Sequence, residues 1–233
     1  MSSFVKDATV VLVHGAWADG SSWSKTISPL AQAGLRVVSA SLPLISWSDD
    51  VAALKRVVER ADGPVILVAH AYAGAVIGGV DSPKVKSLVF VAALAPEEGE
   101  TVADVFYRDE KHQAAPSLAP DDNGFIWMPD SGFNMAVAHL ASAEENLIGA
   151  AVQRPISVHC IQEKVARPSW KGKPSWYLVA EEDRMINPRT QQFMAERMGA
   201  QVRSHAVDHS PAITAANVVV DVILEAANAT VKG

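Results

Sequence analysis

The stretch Pro64-Val65-Ile66-Leu67-Val68-Ala69-His70-Ala71-Tyr72-Ala73-Gly74-Ala75-Val76 constrains this chain most. The apolar run Val65 to Ala69 predicts a buried strand. Small residues follow, and then a helix begins. A strand that turns this sharply into a helix needs small residues on both sides of the tip, and Ala69 and Ala73 supply them. In the pattern small-x-Ser-x-small, such a turn holds a serine nucleophile out at the end of a sheet. Here the tip is Ala71, which has no nucleophilic atom.

The flanking sequence repeats the same alternation. Thr9 to Val13, Arg36 to Leu42 and Val85 to Ala93 are further predicted strands. Ser22 to Ala33, Asp49 to Ala61 and Ala73 to Val80 show apolar residues at helical spacing. Strands apolar on both faces that alternate with helices predict a parallel sheet covered by helices. The alternation breaks from Pro96 to about Lys173, where no strand is evident and Ala136 to Val152 is drawn as a helix. So long a segment is not a bare loop. We expect an inserted, mostly helical cap over residues 96–173 within a single domain spanning 1–233. Ser175 to Ala180 and Gln201 to Ala206 complete about six strands, with helices over Pro188 to Met198 and Ala216 to Ala227. The strand ends after Val13, His70, Ala93, Ala180 and Ala206 share one edge, where open α/β sheets bind their ligands.

With 233 residues and 49% hydrophobic content the chain can cover both faces of such a sheet. Its net charge of −6 argues against nucleic acid or an anionic membrane as partner. No apolar run approaches the roughly 20 residues of a membrane helix. Met1 to Lys6 lacks the pattern of a signal peptide. Cys160 has no second cysteine to pair with, which favours a reducing, cytoplasmic location. No histidine–carboxylate spacing suits a metal and no glycine pattern suits a dinucleotide, so no cofactor is expected. The last helix is rich in Val and Ala, which suits the sheet or a second copy of the chain.

Four signatures at the sheet edge resemble the α/β-hydrolase fold family: His14-Gly15-Ala16-Trp17, the turn Ala69 to Ala73, Asp183 after the later strand, and His209 after the last. The resemblance covers almost the whole chain. It is close to a small bacterial, esterase-like subgroup that also looks like plant methyl-ester esterases and hydroxynitrile lyases. It implies an α/β-hydrolase fold with Ala71 at the nucleophile position, Asp183 as acid and His209 as base. The backbone N–H groups of Ala16 and Tyr72 would form an oxyanion hole. Glu181 and Glu182 are rivals for Asp183, and His205 for His209. His14 and His70 are expected to be structural. Trp17, Phe106 and Trp127 are candidates to line a substrate pocket, as are Tyr107 and Phe125, though packing explains each equally well.

Two accounts of Ala71 stay open in the sequence: a replaced serine, or a native alanine in a site that abandoned the covalent nucleophile. The matching Ala69, Ala71 and Ala73 favour the second. Ser21, Ser22, Ser210 and Cys160 are weaker alternatives, since none sits in a turn that exposes a nucleophile. The expected activity is esterase-type, on a small apolar ester, lactone or amide. The alternatives are a His209-dependent lyase or proton-transfer enzyme, and a protein that only binds a small molecule.

Overall fold

The computed structural model describes residues 8–231, so the reading of Met1 to Lys6 lies outside the described residues. Strands β1 (Thr9–Val13), β2 (Arg36–Ala40), β3 (Val65–His70) and β4 (Val85–Val91) alternate with helices α1 (Ser24–Gln32), α2 (Trp47–Arg60) and α3 (Ala73–Gly78). Between β4 and the next long strand lie α4 (Val102–Phe106), β5 (Phe125–Ile126), α5 (Asp130–Gly132), α6 (Ala143–Ala151), β6 (Ile156–Ser157) and α7 (Val158–Gln162). The chain closes with β7 (Ser175–Ala180), α8 (Pro188–Arg197), β8 (Gln201–His205), α9 (Pro211–Thr214) and α10 (Ala216–Thr230).

Six strands form one sheet in the order β2-β1-β3-β4-β7-β8. Every neighbouring pair in it is parallel. All residues of β1 and β3 are buried, which is why they read as unbroken apolar runs. The pleat divides them. Val11, Val13, Leu67 and Ala69 join a core with α2, α3 and α8, whereas Val10, Leu12, Ile66 and Val68 join one with α1 and α10. Helix α10 turns its Val and Ile residues to the sheet. The edge strands β2 and β8 carry the polar residues, such as Arg36 and Arg203. Among the described residues no helix is long and apolar enough to cross a membrane.

The order reverses between β1 and β3, so the loops after these strands flank the switch point at the C-terminal edge. Those loops hold His14-Gly15 and Ala71.

The segment between β4 and β7 departs from expectation. It contains an antiparallel ladder pairing Phe125 with Ser157 and Ile126 with Ile156. The helix drawn over Ala136 to Val152 is two pieces. A wide helical turn over Phe133–Val137 ends at Ala138, whose φ of −143° leaves helical geometry. Helix α6 then starts afresh, with the Ser142 side chain on the Glu145 N–H and Glu145 on the Ser142 N–H. Strand β4 stops at Val91 rather than Ala93, because Ala92 takes a φ of 44° and turns the chain. Likewise, β2 stops at Ala40, and the chain leaves β8 after His205.

Candidate active site

Helix α3 starts two residues after the tip, at Ala73, and the turn is tightly drawn. Ala71 has a φ of 50°, in the left-handed region that L-residues avoid. Its carbonyl accepts from Gly74 N at 3.1 Å and Leu94 N at 2.9 Å. A β-carbon on Gly74 would lie 2.4 Å from the Leu94 carbonyl oxygen, so only glycine lets the two loops meet. The backbone N–H groups of Ala16 and Tyr72 donate to no acceptor among the described residues.

The Tyr72 side chain runs down into the core. Its hydroxyl donates to Asp50 Oδ2 at 2.7 Å. Asp50 is fully buried, and it also accepts from Leu44 N at 2.8 Å and from the Cys160 thiol at 3.7 Å. Burial pushes the Asp50 carboxyl up to about 6. Burial and the neighbouring Asp50 push the Cys160 thiol up to about 12, which leaves it inert as a nucleophile.

Asp183 stands in the turn after β7 and His209 in the loop after β8. Their side chains meet, with His209 Nδ1 2.8 Å from Asp183 Oδ2. The carboxylate has further partners. Oδ1 accepts from Met185 N at 2.7 Å and Ile186 N at 2.9 Å, and Oδ2 from Gln191 Nε2 at 2.7 Å. With three other donors fixing it, the carboxylate fixes in turn the ring and tautomer of His209. The rivals lie elsewhere: Glu181 and Glu182 are exposed, and His205 ends β8. Gln191, on α8, was not evident from the sequence; its amide also donates to Ile186 O at 2.9 Å and accepts from Ala180 N at 3.0 Å. Nor was Asp208, which accepts from Leu140 N, Ser210 N and the Thr214 hydroxyl and so ties the His209 loop to the inserted segment.

His70 and His14 hold loops. His70 Nε2 donates to the His209 carbonyl at 2.6 Å, and burial holds its pKa down at about 3, so the ring is neutral. His14 Nε2 accepts from Leu42 N at 3.1 Å, which pins the loop after β2 to the loop after β1. Burial lowers its pKa as well.

Two cavities meet at Ala16, Trp17 and His209. The smaller, about 60 Å³, contains Ala71 and Tyr72 and is walled by Leu94, Phe106, Leu118 and Ile156. The larger, about 170 Å³, contains His70 and Ser210 and is walled by Trp23, Phe133, Ile148 and Ile213. Trp17 is fixed between them by donation from its indole to the Ile126 carbonyl at 2.9 Å. Phe106 lines the smaller cavity, and so does Tyr107 at its exposed mouth. Trp127 corrects the expectation: it is 51% exposed, lines neither cavity, and donates its indole N–H to Asp121 at 3.3 Å. Phe125 is likewise outside both. The Ser22 hydroxyl is taken up by the Asp19 carbonyl and that of Ser21 by the Asp19 carboxylate. Among the described residues no group of three His, Cys, Asp or Glu is placed to hold a metal ion.

Comparison with known proteins bears on the fold and the family. A stretch covering 41% of this chain is 36% identical to a carbendazim hydrolyzing esterase of Nocardioides sp. (strain SG-4G), and the match spans 46% of that protein, about half its length. Among solved structures, a pyrethroid hydrolase from Sphingobium faniae JZ-2 superposes with a TM-score of 0.82 at 18% identity, covering 95% of this chain and 98% of that one. Polyneuridine aldehyde esterase gives 0.78 at 18% identity, covering 94% and 99%. A T18A mutant of tomato methylketone synthase I gives 0.82 at 20%, covering 97% and 99%. At such identities these structures share the fold. The pattern of the Alpha/beta hydrolase family matches residues 10–222, nearly the whole length, and the chain belongs to that family.

Proposed function

We propose that the chain is an esterase-type hydrolase of small apolar esters or amides in which His209 activates water directly. The observation that carries this is the Asp183–His209 pair, joined at 2.8 Å, with His209 and Ala71 lining one cavity. Asp183 fixes the tautomer in which His209 Nε2 is free to accept a proton. Ala71 leaves open the place a serine hydroxyl would fill, and a water there meets the carbonyl carbon. The Ala16 and Tyr72 N–H groups, unpaired among the described residues, receive the developing oxyanion. As water adds, His209 takes one proton. The C–O bond to the alcohol then breaks, and the same proton passes to the departing oxygen, giving acid and alcohol. The esterase relative supports the ester chemistry. The single buried cysteine suits a reducing cytoplasm.

The test is a panel of short-chain aryl esters, with the chain as given, His209→Ala and Ala71→Ser measured side by side. A base alone contributes roughly 10²- to 10⁴-fold. The given chain should therefore hydrolyse slowly, His209→Ala should lose that rate, and Ala71→Ser should exceed it. No hydrolysis in any of the three refutes the proposal. Ala71 itself favours a second function: a base without a nucleophile also suits proton transfer or C–C cleavage on a bound carbonyl compound. Turnover of such a substrate that depends on His209, without ester cleavage, marks that case. Ligand binding that survives His209→Ala, without turnover, marks a binding protein.

A further inference from the structure

The two cavities have unequal sizes and unequal equipment. The smaller contains Ala71, Tyr72 and Ala16, hence the attack position and both unpaired N–H groups. The larger lacks Ala71 and Tyr72 but has His209, His70 and Ser210 on its wall. A carbonyl carbon above Ala71 with its oxygen toward the two N–H groups sends its acyl substituent into the smaller cavity. Its leaving oxygen faces His209, the group that must protonate it, and the rest of the leaving group continues into the larger one.

Volume then limits each half. An engineered apolar cavity of about 150 Å³ takes one benzene ring. The larger cavity, about 170 Å³, matches that size, and Trp17, Trp23, Phe133 and Val137 give it apolar walls suited to a flat ring. On the same scale the smaller cavity, about 60 Å³, takes about two to three carbons. Ser210 is buried, its hydroxyl bonds to no described residue, and it lines the larger cavity beside His209.

We propose that the larger cavity is a single-ring leaving-group chamber and the smaller one a short-acyl chamber. The substrate class is then a short-chain ester or amide of a one-ring phenol or aromatic amine. This assignment rests on the hydrolase function proposed above.

Phenol and butyrate are the probes, titrated singly and together into the intact chain, with the Trp17 indole and His209 ring signals followed by NMR. Gly149→Leu is chosen to narrow the larger cavity: Gly149 lines it, and a β-carbon there already meets the Phe133 ring, another part of its wall, at 3.4 Å. Ala103→Phe narrows the smaller one from α4. Both positions lie on short elements outside the sheet, and amide spectra verify folding. The expected result is simultaneous binding. Gly149→Leu should weaken phenol at least tenfold while butyrate stays within twofold, and Ala103→Phe should do the reverse. Competition between the probes, equal loss of both in either variant, or no saturable binding of phenol overturns the assignment. Ester cleavage with phenol binding indifferent to Gly149→Leu keeps the hydrolysis and removes the chambers. Two-site binding without cleavage keeps the chambers and removes the hydrolysis.

Discussion

Asp50→Asn removes a fully buried carboxylate that no cationic group among the described residues offsets. Burial raises its pKa from 3.8 to about 6, a shift of about two units. At about 1.4 kcal/mol per unit this amounts to roughly 3 kcal/mol. The sign follows from proton counting. Between pH 4 and 6 the native state holds a proton that the unfolded state has released, so stability falls as pH rises. The stabilisation is fully present below the unfolded pKa and is gone above the folded one. About 2 of the 3 kcal/mol is lost between pH 4.5 and 8. The Asn variant has no such loss, because its amide does not titrate. Its oxygen keeps the Leu44 N–H, and the Tyr72 hydroxyl turns to accept from its nitrogen. At pH 4.5 the variant should be equal to the parent or up to about 1 kcal/mol weaker, having lost one bond geometry. Relative to the parent it should then gain about 2 kcal/mol by pH 8. Urea unfolding of both proteins at pH 4.5, 6 and 8 measures this, and all other titrating groups cancel in the difference. Parallel stability curves would refute the assigned burial and ionisation of Asp50.

Gly74→Ala should destabilise the fold by about 1–3 kcal/mol through overpacking, since the new methyl lies 2.4 Å from the Leu94 oxygen; urea midpoints at constant m-value report it. Gln191→Leu strands the Ala180 N–H and Ile186 carbonyl and removes one donor from Asp183, and should cost about 2 kcal/mol or more, a fall of roughly 4–8 °C in Tm by calorimetry.

What was legible in the sequence follows from burial. A strand buried on both faces leaves an unbroken apolar run, as in β1 and β3. The inserted segment leaves no such trace. Helix α6 has no buried residue, so no apolar face marks its limits. Its start was nonetheless written in Ser142-x-x-Glu145, a capping pattern that outweighs the continuous helix suggested by Ala and Val. Strands of two residues, such as β5 and β6, are too short to show a period. In the site, the family resemblance singled out Asp183 and His209, whose side chains do meet, but what surrounds them was hidden. Asp50 sits in the first turn of α2, where an acidic residue normally faces water and the helix dipole. Here it points inward to Tyr72. Gln191 is one polar residue on a mostly polar helix, and only the fold shows that it faces Asp183. Trp127 shows the converse, since an aromatic residue in a cap is as easily placed at the surface as in the pocket.

The turn at Ala71 is strained, and a left-handed φ costs an L-residue roughly 1–2 kcal/mol. A serine at the tip is the usual reason to keep such strain, and this chain has none. The structure supplies two other reasons. The residue before the tip, His70, holds the His209 carbonyl, so the turn anchors the His209 loop. The residue after the tip, Tyr72, reaches Asp50 and through it Leu44 and Cys160, so the turn also joins α2 and the inserted segment. Relaxing the turn at Ala71 would displace both neighbours. The His209 loop and the Tyr72 backbone are therefore held by contacts of the residues on either side of position 71, not by its side chain. An alanine at position 71 is therefore compatible with the observed placement of His209.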